Sequence, residues 1–253
     1  MIEVRNVTKR YGETIAIEGV DARFEPGKVN MVIGRSGSGK SVLMKCMVGL
    51  TTVDSGGVFF DGESFFEMAE QERNGILKDI GMLFQAGALF DSLTVEENIM
   101  FPLSVWTKMS NAEKRDRVNF CLERVNLAGK NHLFPGELSG GMVKRVGIAR
   151  AIAVQPRYLF CDEPNSGLDP KTGIVIDQLI QEITEEYNTT TVVISHDLNS
   201  VLDMGDNILF LHEGRHWWQG TKAEILDASN AELQAFVYAS QYMKQIREMR
   251  KKK

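Results

Sequence analysis

An α/β fold is what this sequence predicts: a parallel sheet flanked by helices, with an antiparallel edge at its start and a helical insertion in its middle. Three observations carry that prediction. Short β-rich apolar runs alternate with helical stretches along most of the chain. The run Tyr158–Cys161 is apolar throughout, as a strand buried on both faces is. Between Gly87 and Val154 the patterns are helical and no strand interrupts them.

Taken in order, Ile2–Phe24 alternates and reads as the antiparallel edge. Val29–Ile33 is a short apolar strand followed by a Gly-rich loop and a helical stretch, Lys40–Leu50. Ile80–Phe84 is the next strand, and Asn111–Val125 and Gly141–Ala153 are helices of the insertion. Tyr158–Cys161, Thr191–Ile194 and Ile208–Leu211 complete the strands. A hairpin follows, with Gly214-Arg215 as its turn and Trp217 and Trp218 covering a sheet edge or helix. From about Ala228 a polar–apolar helical pattern runs to a basic end, with no internal repeat or low-complexity linker on the way.

The 253 residues suffice for one core with an inserted subdomain. Hydrophobic residues at 43% and charged residues at 25% exclude disordered and fibrous classes. With 29 Lys+Arg against 34 Asp+Glu the net charge is −5, which argues against nucleic acid as the main partner. Cys46, Cys121 and Cys161 form no CxxC pair and read as small buried hydrophobes in a reducing compartment. The opening residues lack the apolar core of a signal peptide, and no apolar run approaches the roughly 20 residues of a spanning helix. The expectation is a soluble, cytoplasmic chain whose membrane role, if any, comes through a partner.

Gly34-Arg35-Ser36-Gly37-Ser38-Gly39-Lys40-Ser41 fits GxxxxGK[ST] between a strand and a helix, the setting that a P-loop requires. Glycines let successive backbone N–H groups face phosphate oxygens without a Cβ in the way. The helix N-terminus adds partial positive charge. Lys40 can reach the β- and γ-phosphates of ATP, and the Ser41 hydroxyl can ligate Mg²⁺. Asp162 and Glu163 end the apolar strand Tyr158–Cys161. Asp162 is placed to hold the Mg²⁺ shell, and Glu163 is a candidate to polarise the attacking water.

Leu138-Ser139-Gly140-Gly141-Met142, followed by Lys144-Arg145 and a helix, resembles the LSGGQ signature of ATP-binding cassette (ABC) ATPases. The other family elements appear in order over residues 1–225. Tyr11 stands where an aromatic stacks on adenine, Gln85 matches the Q-loop glutamine, Ser166-Gly167-Leu168-Asp169 resembles the D-loop, and His196 the switch histidine. The resemblance implies a RecA-like P-loop NTPase core at residues 1–86 and 155–228. It also implies a helical signature subdomain at 87–154, and leaves 229–253 as a C-terminal helical tail. By the same resemblance ATP is sandwiched between two copies of the chain. Ser139, Gly140 and Gly141 of one copy grip the γ-phosphate held by the other copy's P-loop. Gln85 senses Mg²⁺ and water, His196 orients the γ-phosphate, and Asp169 links the two sites. Met142 departs from the usual glutamine, and a thioether cannot replace the amide's donors.

Met142, together with Gly81–Leu93 and Asn98–Leu103, is similar to the ATPases of MCE-linked lipid transporters of the maintenance-of-lipid-asymmetry (Mla) type. These move phospholipid between inner and outer membranes. The partners implied are an integral membrane permease and an MCE-domain lipid-binding protein, with the ATPase held on the cytosolic face of the inner membrane. In this family a groove near the Q-loop receives a helix of the permease. Phe84, Leu89, Phe90 and Phe101 are accordingly divided between the insertion's core and a docking surface. Other importers stay open as alternatives, as do cassettes without a pore: cell-division switches and partners of an iron–sulfur scaffold. In the tail, Leu233, Phe236, Val237, Met243, Ile246 and Met249 recur at helical steps broken at Ser240. Lys244, Arg247 and Arg250 to Lys253 make its end basic. This tail is expected to pack on a cassette surface of its own copy or the other.

Overall fold

The strands begin with β1 (Ile2–Tyr11), β2 (Thr14–Phe24) and β3 (Lys28–Ile33), and α1 (Lys40–Met47) follows. Next come β4 (Ser55–Phe60), β5 (Glu63–Ser64), α2 (Glu70–Lys78) and β6 (Ile80–Leu83). The insertion contributes α3 (Val95–Trp106), α4 (Asn111–Arg124), a 3₁₀ turn at Pro135–Glu137 and α5 (Gly140–Ile152). After β7 (Tyr158–Asp162) come α6 (Pro170–Tyr187), β8 (Thr190–Ser195) and α7 (Leu198–Met204). The chain ends on β9 (Asn207–His212), β10 (Arg215–Gly220), α8 (Ala231–Val237) and α9 (Gln241–Lys251). The computed structural model describes residues 1–239 and 241–251, without the side chains of Tyr242, Ile246, Arg250 and Lys251. The helix break read at Ser240 and the readings of Ile246 and of residues 250–253 therefore lie outside the described side chains.

The chain packs as two units. The first takes residues 1–24, 30–66 and the described part of 195–253. Its antiparallel sheet runs β2-β1-β4-β5, the edge expected from the alternation of Ile2–Phe24. Ile2, Val4, Val20 and Phe24 fill the core from it. In the same unit β3 lies parallel to β9, and β10 returns antiparallel to β9. The turn of that last hairpin is Glu213-Gly214, not Gly214-Arg215. Arg215 already pairs with His212, and Glu213 and Gly214 carry φ of 48° and 75°, the left-handed pair that a tight hairpin turn demands. Trp217 is exposed and its ring meets His212 edge-on at 5.0 Å.

The tail joins this unit through α8. Asn230 caps it by accepting from the Leu233 amide at 2.8 Å. Leu233 and Val237 are buried, and the Phe236 ring sits 5.6 Å from that of Phe210 in β9. The Tyr238 hydroxyl donates to the Leu226 carbonyl at 2.9 Å. Of the expected apolar face of α9, Met243 is buried and Met249 is exposed.

The second unit holds residues 25–29 and 67–194. In it β6, β7 and β8 run parallel in adjacent registers, with Leu83 beside Cys161 and Asp162 beside Ile194. Tyr158–Cys161 is buried throughout, as its apolar run predicts. β8 is buried as well, and the Thr191 hydroxyl within it is satisfied from outside the strand: Thr191 Oγ1 lies 2.7 Å from Thr184 Oγ1 of α6 and 2.8 Å from Thr189 Oγ1. α5 lies tight on β6, since a Cβ at Gly81 would stand 2.4 Å from the Ala151 carbonyl oxygen. Thr94 and Ser110 start α3 and α4 with reciprocal caps from Glu97 and Glu113. α3 continues through Pro102, which cannot donate to the carbonyl one turn earlier. That carbonyl belongs to Asn98, whose fully buried amide side chain ties down the preceding loop. It accepts from the Phe90 amide at 2.8 Å and donates to the carbonyls of Phe90, Leu93 and Thr94.

Candidate active site

In the first unit, the buried β3 delivers Gly34–Gly39 as a loop and α1 begins at Lys40. Gly34 and Gly39 have φ of 148° and 94°, and neither has room for a side chain. A Cβ on Gly34 would stand 2.2 Å from the Leu211 carbonyl oxygen, and one on Gly39 would stand 2.5 Å from Ile17. Lys40 is buried, and its Nζ donates to the carbonyls of Gly34 at 2.9 Å and Arg35 at 3.0 Å. Arg35, Ser36, Gly37 and Ser41 are exposed. The Ser38 hydroxyl is buried with no hydrogen-bond partner among the described residues. A bare-backbone cradle with an ammonium folded over it and an orphaned hydroxyl inside fits a bound phosphate chain.

Tyr11 ends β1 with half its surface exposed, and Lys9 Nζ lies 5.5 Å from its ring centre. His196 is exposed one residue beyond β8. The loop holding it is fixed by the Asp197 amide, which donates to Ser195 Oγ at 3.0 Å, and by Asp197 capping α7.

In the second unit, the parallel registers bring the ends of β6 and β7 side by side, so Gln85 and the Asp162-Glu163 pair leave the same sheet edge. Glu163 has φ of 46°, a left-handed conformation unusual for a residue with a Cβ. Its amide donates to the Ile194 carbonyl at 3.0 Å, and its own carbonyl accepts from the Ser166 amide at 3.1 Å. Gln85 Nε2 reaches Ser166 Oγ at 3.4 Å.

Ser139 is the N-cap of α5, its hydroxyl accepting from the Met142 amide at 3.3 Å. The position that departs from the signature therefore contributes its backbone to the cap. Ser139 and Gly140 are exposed, whereas Gly141 is buried, 2.6 Å from Thr172 if given a Cβ. Thr172 in turn donates from its amide and its hydroxyl to Asp169, the cap of α6. Those two bonds hold the Asp169 carboxyl below its usual range.

Two cations on α5 were not among the candidates drawn from the sequence. Lys144 is buried, and its ammonium donates to the backbone carbonyls of Gln85 and, at 3.4 Å, of Glu163. Burial pushes its pKa down, against the pull of Cys161, Asp162 and Glu163 nearby. Arg150 donates to the carbonyls of Gly87 at 2.8 Å and Ala88 at 2.7 Å. Burial also pushes the Cys161 thiol up to about 12, so it stays a neutral packing group. All three cysteines are free and buried, as their spacing implies.

Beside the Q-loop, still in the second unit, an apolar cavity of about 250 Å³ is lined by Met82, Phe84, Phe90, Phe101 and Trp106, with Arg150 at one wall. Phe84, Phe90 and Phe101 are exposed and Leu89 is half-buried. The Phe90 and Phe101 rings pack 5.0 Å apart. No helix among the described residues is long and apolar enough to cross a membrane.

A protein-family model described as ABC transporter matches residues 17–166. The chain belongs to the ABC transporter family. As an ABC ATPase subunit it uses ATP with Mg²⁺, and dimeric cassettes and a membrane permease are general for that family. A probable ribonucleotide transport ATP-binding protein, mkl of Mycobacterium leprae, is 36% identical over 93% of this chain and 68% of its own. MlaF of Haemophilus influenzae, an intermembrane phospholipid transport system ATP-binding protein, is 34% identical over 94% of this chain and 90% of its own. Among solved structures, the dimeric ABC transporter cassette MJ0796 superposes with a TM-score of 0.81 at 35% identity, covering 88% of this chain and 99% of that one. The same cassette is known bound to ADP and Pi, in a post-hydrolysis state.

Proposed function

We propose that this ABC ATPase drives phospholipid transport between two membranes, through a permease and an MCE-domain partner. The likeness to MlaF carries this reading, because it spans nearly the whole of both chains. The methionine at position 142 and the aromatic run around the Q-loop point the same way. The apolar cavity beside Phe84, Phe90 and Phe101 supports permease docking, since exposed aromatic surface of this kind is costly to leave in water. Such docking holds the chain on the cytosolic face of the inner membrane.

In the proposed cycle, the backbone amides of Gly34, Ser36, Gly37, Ser38 and Gly39 and the Lys40 ammonium bind phosphates. Tyr11 stacks on the base. Ser41, Gln85 and Asp162 hold Mg²⁺, which screens phosphate charge when bound. Glu163 polarises water and His196 orients the γ-phosphate. Ser139, Gly140 and Gly141 complete the site of a second copy, with Asp169 between the two. In this division of labour residues 1–86 and 155–228 bind nucleotide, 87–154 relay its state, and 229–253 form a tail.

Purification in detergent from the organism that encodes the chain tests the transport reading. A polytopic permease together with an MCE-domain protein is the expected outcome. A soluble scaffold, or a permease with no MCE partner, overturns it. The second result would favour a cassette that serves another transporter, and mkl is named for transport of a different substrate, ribonucleotides.

A further inference from the structure

We propose that Lys144 is a positioning residue for hydrolysis, its ammonium locking the backbones of Gln85 and Glu163 together against the signature helix α5. This rests on the reading of Glu163 as the residue that polarises water.

The geometry is a closed ring. Lys144 donates to the Gln85 carbonyl on one side and the Glu163 carbonyl on the other. The Glu163 carbonyl also accepts from the Ser166 amide, and the Ser166 hydroxyl meets the Gln85 side chain. Every member of the ring is therefore held by two others. Glu163 needs such holding. Its φ of 46° is disfavoured for a side chain with a Cβ, and a conformation of that kind persists only where neighbours over-determine it. The Ile194 carbonyl fixes its amide, and Lys144 and Ser166 fix its carbonyl, so the carboxylate is aimed from a rigid peptide.

The choice of lysine is itself informative. A buried ammonium is costly, and an apolar side chain would fill the same space at lower cost among the buried Val146, Gly147, Ile148 and Ala149 that follow it in α5. What an apolar side chain cannot do is donate to two carbonyls from separate segments at once. Because Lys144 lies one turn into α5, five residues beyond Ser139, it ties the helix that opens at the signature to the acid and to the Q-loop in the same molecule. Its role is thus to fix where Glu163 stands, without touching nucleotide.

The test uses the full chain as wild type, K144M, K144Q and E163Q, with steady-state ATPase rates, nucleotide affinity and thermal melting measured for each. Displacing a catalytic group by a fraction of an ångström to an ångström costs about 10- to 100-fold in turnover. K144M is expected to lower kcat by that factor with KM and nucleotide affinity within about two-fold of wild type. K144Q, which restores a neutral donor, is expected to fall between the two. Wild-type turnover in K144M beside an inactive E163Q would overturn the role of Lys144 and leave Glu163 standing. Wild-type turnover in E163Q would instead overturn the reading of Glu163 beneath it. A K144M defect that appears in KM and melting temperature, and equally in K144Q, would mark a packing role and also overturn the proposal. Should K144M fail to fold, K144Q decides: slowed turnover at unchanged KM supports the lock, and wild-type turnover overturns it.

Discussion

Single residues at this site are set by what their backbones are allowed to do. Glu163 departs into the left-handed region at the end of β7, and its amide is held by the Ile194 carbonyl. Glu163→Gln keeps that backbone and removes only the basic oxygen. Turnover is expected to drop by roughly 10²- to 10⁴-fold, the range of general-base contributions, while ATP binding persists. Radiolabelled ATP retained on a stable dimer would register the outcome; a monomer with ATP bound would count against it. Such residues differ in how legible they are in sequence. Asp162-Glu163 and Gly34–Ser41 are visible because side-chain chemistry at fixed spacing defines them. The roles of Lys144, visible only as a basic residue after the signature, and of Arg150 are not, because each works on backbone carbonyls, which every residue has. Three basic residues, Lys144, Arg145 and Arg150, set among the apolar residues of α5 are the available signal.

At the level of elements, the strands were legible where burial is two-sided, as in Tyr158–Cys161, and where alternation is regular, as in Ile2–Phe24. α2 was not read, for a physical reason: none of its residues is buried, so it carries no apolar stripe to see. α3 was hidden by Pro102, a residue that usually ends a helix. Its stability depends instead on Asn98. Asn98→Ala leaves the carbonyls of Phe90 and Leu93 and the amide of Phe90 without that partner. A loss of about 2–3 kcal/mol is expected, read in urea melts as a lower midpoint at unchanged slope. The Phe90 loop that Asn98 holds also borders the apolar cavity. Phe90→Glu should therefore leave nucleotide affinity intact while abolishing co-purification with the permease. Retained co-purification would move the docking surface elsewhere.

For the whole molecule, dimeric cassettes are general for the ABC family, and on the proposed reading one P-loop and one signature per chain make each copy half of a two-site machine. Lys40→Ala removes a charge-assisted phosphate contact and should lose nucleotide affinity. Ser139→Arg should bind ATP nearly as wild type does and fail to hydrolyse it. Mixing the two inactive variants regenerates one intact site per mixed dimer. ATPase recovery on mixing is the expected result, and its absence in a verified mixed dimer would argue against a shared site. The tail has a nearer role than assembly. Leu233 and Val237 are buried and Phe236 packs on Phe210 as α8 joins the first unit, and at roughly 1.5 kcal/mol per buried side chain the two buried ones stabilise that unit by about 3 kcal/mol. Deleting residues 231–253 should therefore lower the melting temperature of a single copy, whereas deleting 241–253 should change it far less.

The Lys40 ammonium closed on the carbonyls of Gly34 and Arg35 has a thermodynamic consequence for how the chain handles its fuel. On the proposed reading those carbonyls belong to the loop that receives phosphate, and they would compete with it for the same ammonium from within the loop, at high effective concentration. Nucleotide affinity then reports an exchange of partners by one cation, with the phosphate credited only for its advantage over the loop's own oxygens. A fuel bound by difference is released by difference, and on that reading ADP, with one fewer phosphate to outbid the loop, is expected to be held less tightly than ATP.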